Sequence, residues 1–262
     1  MSSPFDGVAA HYDADFTHTL IGRAQRARVH RLLSRLTGTA PLTILEINCG
    51  TGEDAVHLAG AGHTVTASDI SAEMLGIAEA KARARSVVIH TLQWDLRTPY
   101  PGTATTYNLI FSNFGGLNCL DPTALQQTFA RVHDLLKPDG VFVGVVMGKC
   151  CLMESVYMLF TGRWRSINRR GRDGMVSVPL QSGAFVDTWY YSPSEIATAL
   201  RPQFDQLFMA PVGVTIPPGY MESRTPWKKA LNTFCIAIDP LFSHALFARC
   251  SDHFCFAYKK RG

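Results

Sequence analysis

The sequence predicts an α/β fold, a mostly parallel sheet with helices on both faces. Two observations predict it. Short apolar runs alternate with amphipathic helical stretches as far as Met147, the pattern of strands buried on both faces under crossover helices. Early in that alternation the run Ile44-Leu45-Glu46-Ile47 delivers a small-residue turn, Asn48-Cys49-Gly50-Thr51-Gly52, which opens a helical pattern.

The elements follow in order. Residues 21–36 carry Ile21, Val29, Leu32, Leu33 and Leu36 on one side, with arginines elsewhere, and Gly38 and Pro41 end that helix. Strands are expected at 42–47, 64–68, 87–92, 107–112 and 141–147. Helices are expected at 54–59, stopped by Gly60-Ala61-Gly62, at 71–84 with Ser71 as N-cap, and at 122–136 between Asp121-Pro122 and Pro138-Asp139-Gly140. Beyond Met147 the pattern changes. A greasy helix at 151–160 leads into the basic run Arg163–Arg172, followed by β-like runs at 176–180 and 184–191 and a helix at 194–200. A strand at 204–214, the hinge Pro217-Pro218-Gly219, a helical stretch at 226–248 and a final strand at 252–258 complete the chain.

With 262 residues, 47% hydrophobic and 18% charged, the chain has the composition of an ordinary globular protein, and its net charge of +4 selects no partner. Seven cysteines with no zinc spacing suit a reduced compartment, and no metal site is expected. The first residues show no basic start leading into an apolar core. The longest apolar stretch, near 234–248, is interrupted by Asp239, Pro240 and His244. A cytoplasmic protein without a spanning helix is therefore expected.

The glycine turn and an acid about 20 residues on, Asp69 at the end of the next strand, form a recipe for a nucleoside site. Glycines let the backbone approach a ligand, and the acid accepts from a ribose diol. A dinucleotide fingerprint wants G-x-G-x-x-G, and Ala55 stands at its third glycine.

Three segments then point to one family. Glu46–Gly52, Asp69-Ile70-Ser71-Ala72-Glu73-Met74-Leu75 and Trp94-Asp95-Leu96 resemble successive signature segments of class I S-adenosylmethionine-dependent methyltransferases. The entry from Phe5-Asp6 to Tyr12-Asp13 resembles that of small-molecule enzymes such as those of quinone and biotin biosynthesis. The resemblance covers residues 5–149 and implies a Rossmann-like, seven-stranded sheet with an antiparallel last strand, in a single 1–262 domain. It further implies an N-terminal helical lid (1–40), a cofactor-binding core (41–149), and helical and β cap insertions at 150–192 and 215–250, after the fifth and sixth strands.

It also implies S-adenosylmethionine as cofactor, with S-adenosylhomocysteine as product. Gly50 and Gly52 would pass beside the methionine part and Asp69 would take the ribose hydroxyls. Ile70 and Met74 would pack near the adenine, and Asp95 would accept from its amino group beside Trp94 and Leu96. Ser112, Asn113 and Phe114 would lie near the sulfonium, Tyr12 over the cofactor and Arg26 at its carboxylate. Glu46, Cys49, Thr51, Asp54 and Ser71 complete the set. Asn48 departs from the family's usual glycine, and asparagine is among the residues that tolerate a left-handed backbone.

Methyl transfer needs alignment and desolvation, and a base only where the acceptor still carries its proton. Candidate bases are His11, His18 and His244. Tyr12, Tyr157, Trp164 and Tyr220 are candidate acceptor contacts in an aromatic-rich cap, which predicts a small apolar or aromatic acceptor, with oxygen preferred on family frequency. Asn113-Phe114-Gly115-Gly116 is not the Asn/Asp-Pro-Pro-aromatic run of exocyclic base methylation, so DNA and RNA are disfavoured as targets. The Arg163–Arg172 run could meet an acidic carrier protein or an anionic membrane surface. Rival readings are a non-catalytic S-adenosylmethionine-binding regulator, an RNA methyltransferase and an NAD(P)-dependent dehydrogenase.

Overall fold

The computed structural model describes residues 3–103, 105–171, 174–180, 182–222 and 225–262, so Arg172 of the basic run lies outside the described residues. In chain order the elements are α1 (Ala9–Tyr12), α2 (Leu20–Thr37), β1 (Thr43–Ile47), α3 (Glu53–Gly60), β2 (Thr64–Asp69), α4 (Ala72–Ala84), β3 (His90–Gln93), β4 (Tyr107–Ser112) and α5 (Pro122–Leu135). They continue with β5 (Leu136–Met147), α6 (Leu152–Phe160), β6 (Val176–Pro179), β7 (Phe185–Thr188), α7 (Pro193–Leu200), β8 (Phe204–Val212), α8 (Pro226–Ile238) and β9 (His253–Lys260).

Seven strands form one sheet in the order β3-β2-β1-β4-β5-β9-β8. β1 to β5 pair in parallel, and β9 lies antiparallel between β5 and β8, as the family resemblance implied. Side chains alternate across the sheet. On β5, Phe142 and Val146 join Phe129, Phe204, Phe254 and Tyr258 on one face. Val143 and Val145 join Val29, Leu33, Phe111 and Cys255 on the other. Because the strand order reverses beside β1, the carboxyl ends of β1, β2 and β4 border the crevice where such sheets bind ligands.

Helix starts follow side-chain capping. Ser71 Oγ accepts from Met74 N at 3.1 Å, and Asp121 accepts from Thr123 N and Ala124 N. Ser192 and Glu195 form a reciprocal capping box.

Several boundaries differ from the sequence expectation, β5 beginning at Leu136 rather than 141 among them. The α2 stripe Val29, Leu32 and Leu33 is buried in the sheet's core, so the segment that covers the crevice ends near residue 19 rather than 40. The third strand begins at His90 instead of Val87. The 226–248 helix stops at Ile238, one residue short of the Asp239-Pro240 pair, and continues as two short 3-10 turns. There the buried Asp239 carboxylate accepts from Val214 N (2.8 Å) and Thr215 N (2.9 Å), fixing the turn after β8.

The first insertion, 150–192, is tied to the sheet by buried charges. Arg170 reaches Glu154 of α6 with Nε (2.5 Å) and Asp252, just before β9, with Nη2 (2.8 Å). Arg169 and the Tyr220 hydroxyl also bond Glu154, and Gln25 of α2 donates to Asp252 Oδ2 at 2.9 Å. Two arginines of the expected basic surface thus turn inward. Burial opposes the charge of Asp252, but His253 and Arg170 outweigh it and hold the carboxyl well below the ordinary carboxylate range.

Removing one partner of such a set leaves a buried charge uncompensated. Arg170→Met is expected to cost about 3–5 kcal/mol, read as a lowered thermal midpoint. Because the folded Asp252 value is depressed, its contribution is fully present above the unfolded value of about 4 and is lost as pH falls through the folded one. A pH series of midpoints should therefore show the gap between the wild type and Asp252→Asn closing in acid.

Candidate active site

The turn after β1 is built from left-handed backbone. Asn48, Gly50 and Gly52 have φ of 56°, 52° and 71°. Asp69 at the end of β2 pins it, with Oδ2 accepting from Gly50 N (2.8 Å) and Oδ1 from Ser71 N (3.0 Å). A Cβ on Gly52 would stand 2.5 Å from Ala78 Cβ, so α4 packs against bare backbone there. Asn48 is accommodated from across the crevice. Its side chain lies along Gly116, where a Cβ would come within 2.3 Å of Asn48 Cβ.

Beside the turn, Asp54 in the first turn of α3 gathers three donors from two other segments. These are Arg26 and His30 of α2 (His30 Nε2 at 2.5 Å) and Asn113 Nδ2 after β4 (2.8 Å). Burial would raise the Asp54 carboxyl, but Arg26 and His30 overcome it and hold it well below the usual range. Glu46, 1% exposed on β1, has no such set, and burial together with Asp54 pushes its carboxyl well above the usual range. Burial also raises Asp69 despite its backbone donors.

The N-terminal segment is fastened over this crevice at two points. Ser71 Oγ donates to Asp6 at 2.6 Å, and Thr51 Oγ1 donates to Asp13 at 2.6 Å, with Lys81 Nζ 2.8 Å from Asp13. Val8 and Ala9 cover Met74, with Phe5 and Tyr12 packed alongside. The Tyr12 hydroxyl is pushed up by burial, partly offset by Arg26. Tyr12 packs with Phe5 against the Val8, Ala9 and Met74 cluster.

Buried polar atoms without a protein partner concentrate here. Among the described residues they include Glu46 Oε2, Asn48 Nδ2, Arg26 Nε and Ser112 Oγ. Buried polar groups are normally paired, so this set fits a ligand that brings both a cation and hydrogen-bonding groups.

Other expected site residues are placed differently. Trp94 and Leu96 point into the core, and Trp94 Nε1 donates to Thr98 O at 3.2 Å. Neither side chain faces the crevice, a correction that follows from the apolar cluster under α5. Asp95 between them stays half-buried, its Oδ1 taken by Arg97 N. Trp94 N donates to Asp69 O at 2.9 Å, which brings the segment to the end of β2, and Gln93 bonds the Ile70 carbonyl. Cys49 is buried, and its amide donates to Ser68 O. Phe114 lies under Arg26, whose Cζ is 5.2 Å from the ring centroid.

His11 and His18 are exposed. His18 borders a cleft of about 410 Å³ beside Arg23, Arg26 and His30. His244 caps a turn by accepting from Leu246 N, which leaves a structural role there. Tyr157 is half-buried on α6, Trp164 faces solvent, and the Tyr220 hydroxyl is committed to Glu154. The sequence reading missed His253. Its Nδ1 lies 3.0 Å from Asp252 Oδ2, its ring meets Phe114 edge to face at 5.3 Å, and it opens β9 opposite Met147 at the end of β5. The adjacent Asp252-His253 pair was its only trace in the sequence.

A family model described as a methyltransferase domain matches residues 44–140. A Geobacillus sp. (strain WCH70) protein described no further than as a methyltransferase is 41% identical over 101 residues, 38% of this chain and 40% of that one. The malonyl-[acyl-carrier protein] O-methyltransferase of Enterobacter lignolyticus (strain SCF1) is 26% identical over 65% of this chain and 60% of its own length. The chain thus spans about half the length of these relatives. The magnesium protoporphyrin IX methyltransferase of Synechocystis PCC 6803, solved with S-adenosylhomocysteine, superposes with a TM-score of 0.59 at 14% identity, covering 92% of this chain and 85% of that one. Strand order and the domain match agree: residues 44–140 match a methyltransferase domain, and the sheet has the Rossmann-like fold of the methyltransferases it superposes on.

Proposed function

We propose that this protein transfers a methyl group from S-adenosylmethionine to a small apolar or aromatic acceptor, oxygen being favoured over nitrogen or carbon. One observation carries the choice of cofactor. Glu46, Asp54 and Asp69 are all buried around the turn, and the half-buried Arg26 guanidinium among them is already paired with Asp54. Carboxyl groups so placed accept from the ammonium and ribose hydroxyls of a sulfonium nucleoside, and they oppose the pyrophosphate of a dinucleotide.

Bound there, S-adenosylmethionine supplies the electrophilic methyl and its own leaving group. The chain's residues hold and shield it. Asp69 would accept from the ribose hydroxyls while keeping the turn in place, and Glu46 and Arg26 offer the amino and carboxyl ends a partner each. Asp54 acts through Arg26 and Asn113 as a positioning residue. The Ser3–Thr17 segment, with Tyr12, excludes water.

A hydroxyl acceptor must lose its proton. His253 is the group we assign to take it, because its Nδ1 lies 3.0 Å from the Asp252 carboxylate and its ring meets Phe114 just beyond β4. The relatives named as O-methyltransferases support the oxygen preference.

Calorimetric titration should show S-adenosylhomocysteine binding and no NAD(P) binding. Asp69→Asn should weaken the former by roughly 10- to 100-fold, the loss of one or two hydrogen bonds to a charged group, with the thermal midpoint little changed. Nucleotide preference in the opposite direction would overturn the assignment. With an acceptor that supports turnover, His253→Asn should lower kcat by about 10²- to 10⁴-fold and leave S-adenosylhomocysteine affinity unchanged. An unaltered kcat would remove His253 from the chemistry.

A further inference from the structure

The first cap helix buries one side and leaves the other bare. Glu154 and Met158 of α6 face inward. Leu152, Val156, Leu159 and Phe160 are exposed and stand at spacings of four, three and one, a single stripe along the helix. The following turn extends the stripe with Trp164. Phe160 is 84% and Trp164 68% exposed, far more than a satisfied core needs.

The charge around this stripe has one sign. Residues 155–171 hold four arginines and no acid. Arg169 and Arg170 bond Glu154 and Asp252 in the interior. Arg163 and Arg165 flank Trp164 and are exposed. A cleft of about 510 Å³ lies at this point, lined by Gly162, Arg163, Trp164, Arg165 and Ser166.

The same composition recurs on the second cap helix. On α8, Trp227, Leu231 and Phe234 are exposed at spacings of four and three. Lys228 Nζ sits 5.4 Å from the Trp227 ring centroid, and no acid occurs in 226–238. Tyr220, six residues before the start of α8 at Pro226, is bonded to Glu154 of α6.

No helix among the described residues is long and apolar enough to cross a membrane. An exposed apolar stripe with tryptophan at its edge, a collar of basic residues and no acid is the composition of a helix that lies in a bilayer interface. An acidic protein would match the positive charge but would leave Leu152, Val156, Leu159 and Phe160 in water. We propose that α6 and the Arg163-Trp164-Arg165 turn dock this protein on an anionic lipid surface. Phe160 and Trp164 enter the interface, and the two arginines meet lipid phosphates in the adjoining cleft. This surface is separate from the cofactor crevice and stands whether or not the methyl-transfer reading does.

Vesicle flotation of the whole chain tests it, using phosphatidylcholine vesicles with and without a quarter phosphatidylserine. The protein should float with the anionic vesicles, bind the neutral ones far less, and dissociate as salt is raised. Phe160→Ser with Trp164→Ser should reduce binding to anionic vesicles at least tenfold. Arg163→Glu with Arg165→Glu should reduce it by about thirtyfold or more. Thermal midpoints and S-adenosylhomocysteine titration on the same variants report folding and cofactor binding separately. Failure to float at low salt would overturn the proposal. So would flotation indifferent to the Phe160 and Trp164 changes, or arginine-dependent binding to a purified acidic carrier protein without vesicle binding.

Discussion

Everything above the carboxyl edge of the sheet is organised around one buried carboxylate, Asp54. It sits in the first turn of α3, where the helix dipole favours an acid, and it accepts from α2 through Arg26 and His30 and from the end of β4 through Asn113. Without it, Arg26 would be a buried cation with no counter-charge, and the register of α2 over β1 and β4 would lose its polar anchor. With it, Arg26 is held against Phe114 while its Nε stays unsatisfied, and Glu46 behind it is left with no cation of its own. The crevice is thereby organised for a ligand carrying opposite charges at one end. On the proposed reading, the cofactor would lower the cost of burying Glu46 and Asp69, so part of the binding energy would be prepared in the protein itself.

The sheet and the cofactor turn were legible in the sequence because both rest on local signals. Alternation of apolar runs with amphipathic helices located the five parallel strands, and two further apolar runs near the end located β8 and β9. Glycines followed by Asp69 located the turn, and Ser71 and Asp121 marked helix starts by capping chemistry that acts over three residues. Asn48 was visible as an exception but not its remedy, since the space it occupies is left free by Gly116, 68 positions later. Trp94 and Leu96 show the limit of motif reading. The segment does reach the end of β2 through a backbone bond, yet alternation turns the two apolar side chains down into the core and leaves only Asp95 near the surface.

The insertions were harder to read because long-range pairs decide them. A run of arginines after a greasy helix reads as a solvated surface, and for Arg169 and Arg170 that reading fails because Glu154 and Asp252 face them in the interior. Nothing local to Asp252 reveals that it will meet Arg170, 82 positions before it, and Gln25, 227 positions before it. His253 was overlooked for the same reason. A histidine at a strand start has no signature until the antiparallel placement of β9 puts it beside Met147 and Phe114.

The two carboxylate centres meet in α2. Its neighbouring residues Gln25 and Arg26 project in different directions, Gln25 to Asp252 and Arg26 to Asp54. One centre holds the cofactor side of the crevice. The other holds His253 and, through Arg170 and Glu154, the cap. A helix pinned at both centres by adjacent residues cannot shift along the sheet without straining both, so it fixes the spacing between the cofactor turn and His253. On the proposed reading, methyl transfer would depend on that spacing more than on any single acid or base, because in-line displacement rewards alignment to within a fraction of an ångström. The outer face of α6 takes no part in either centre. Its exposed stripe and basic turn can serve attachment without disturbing the alignment beneath.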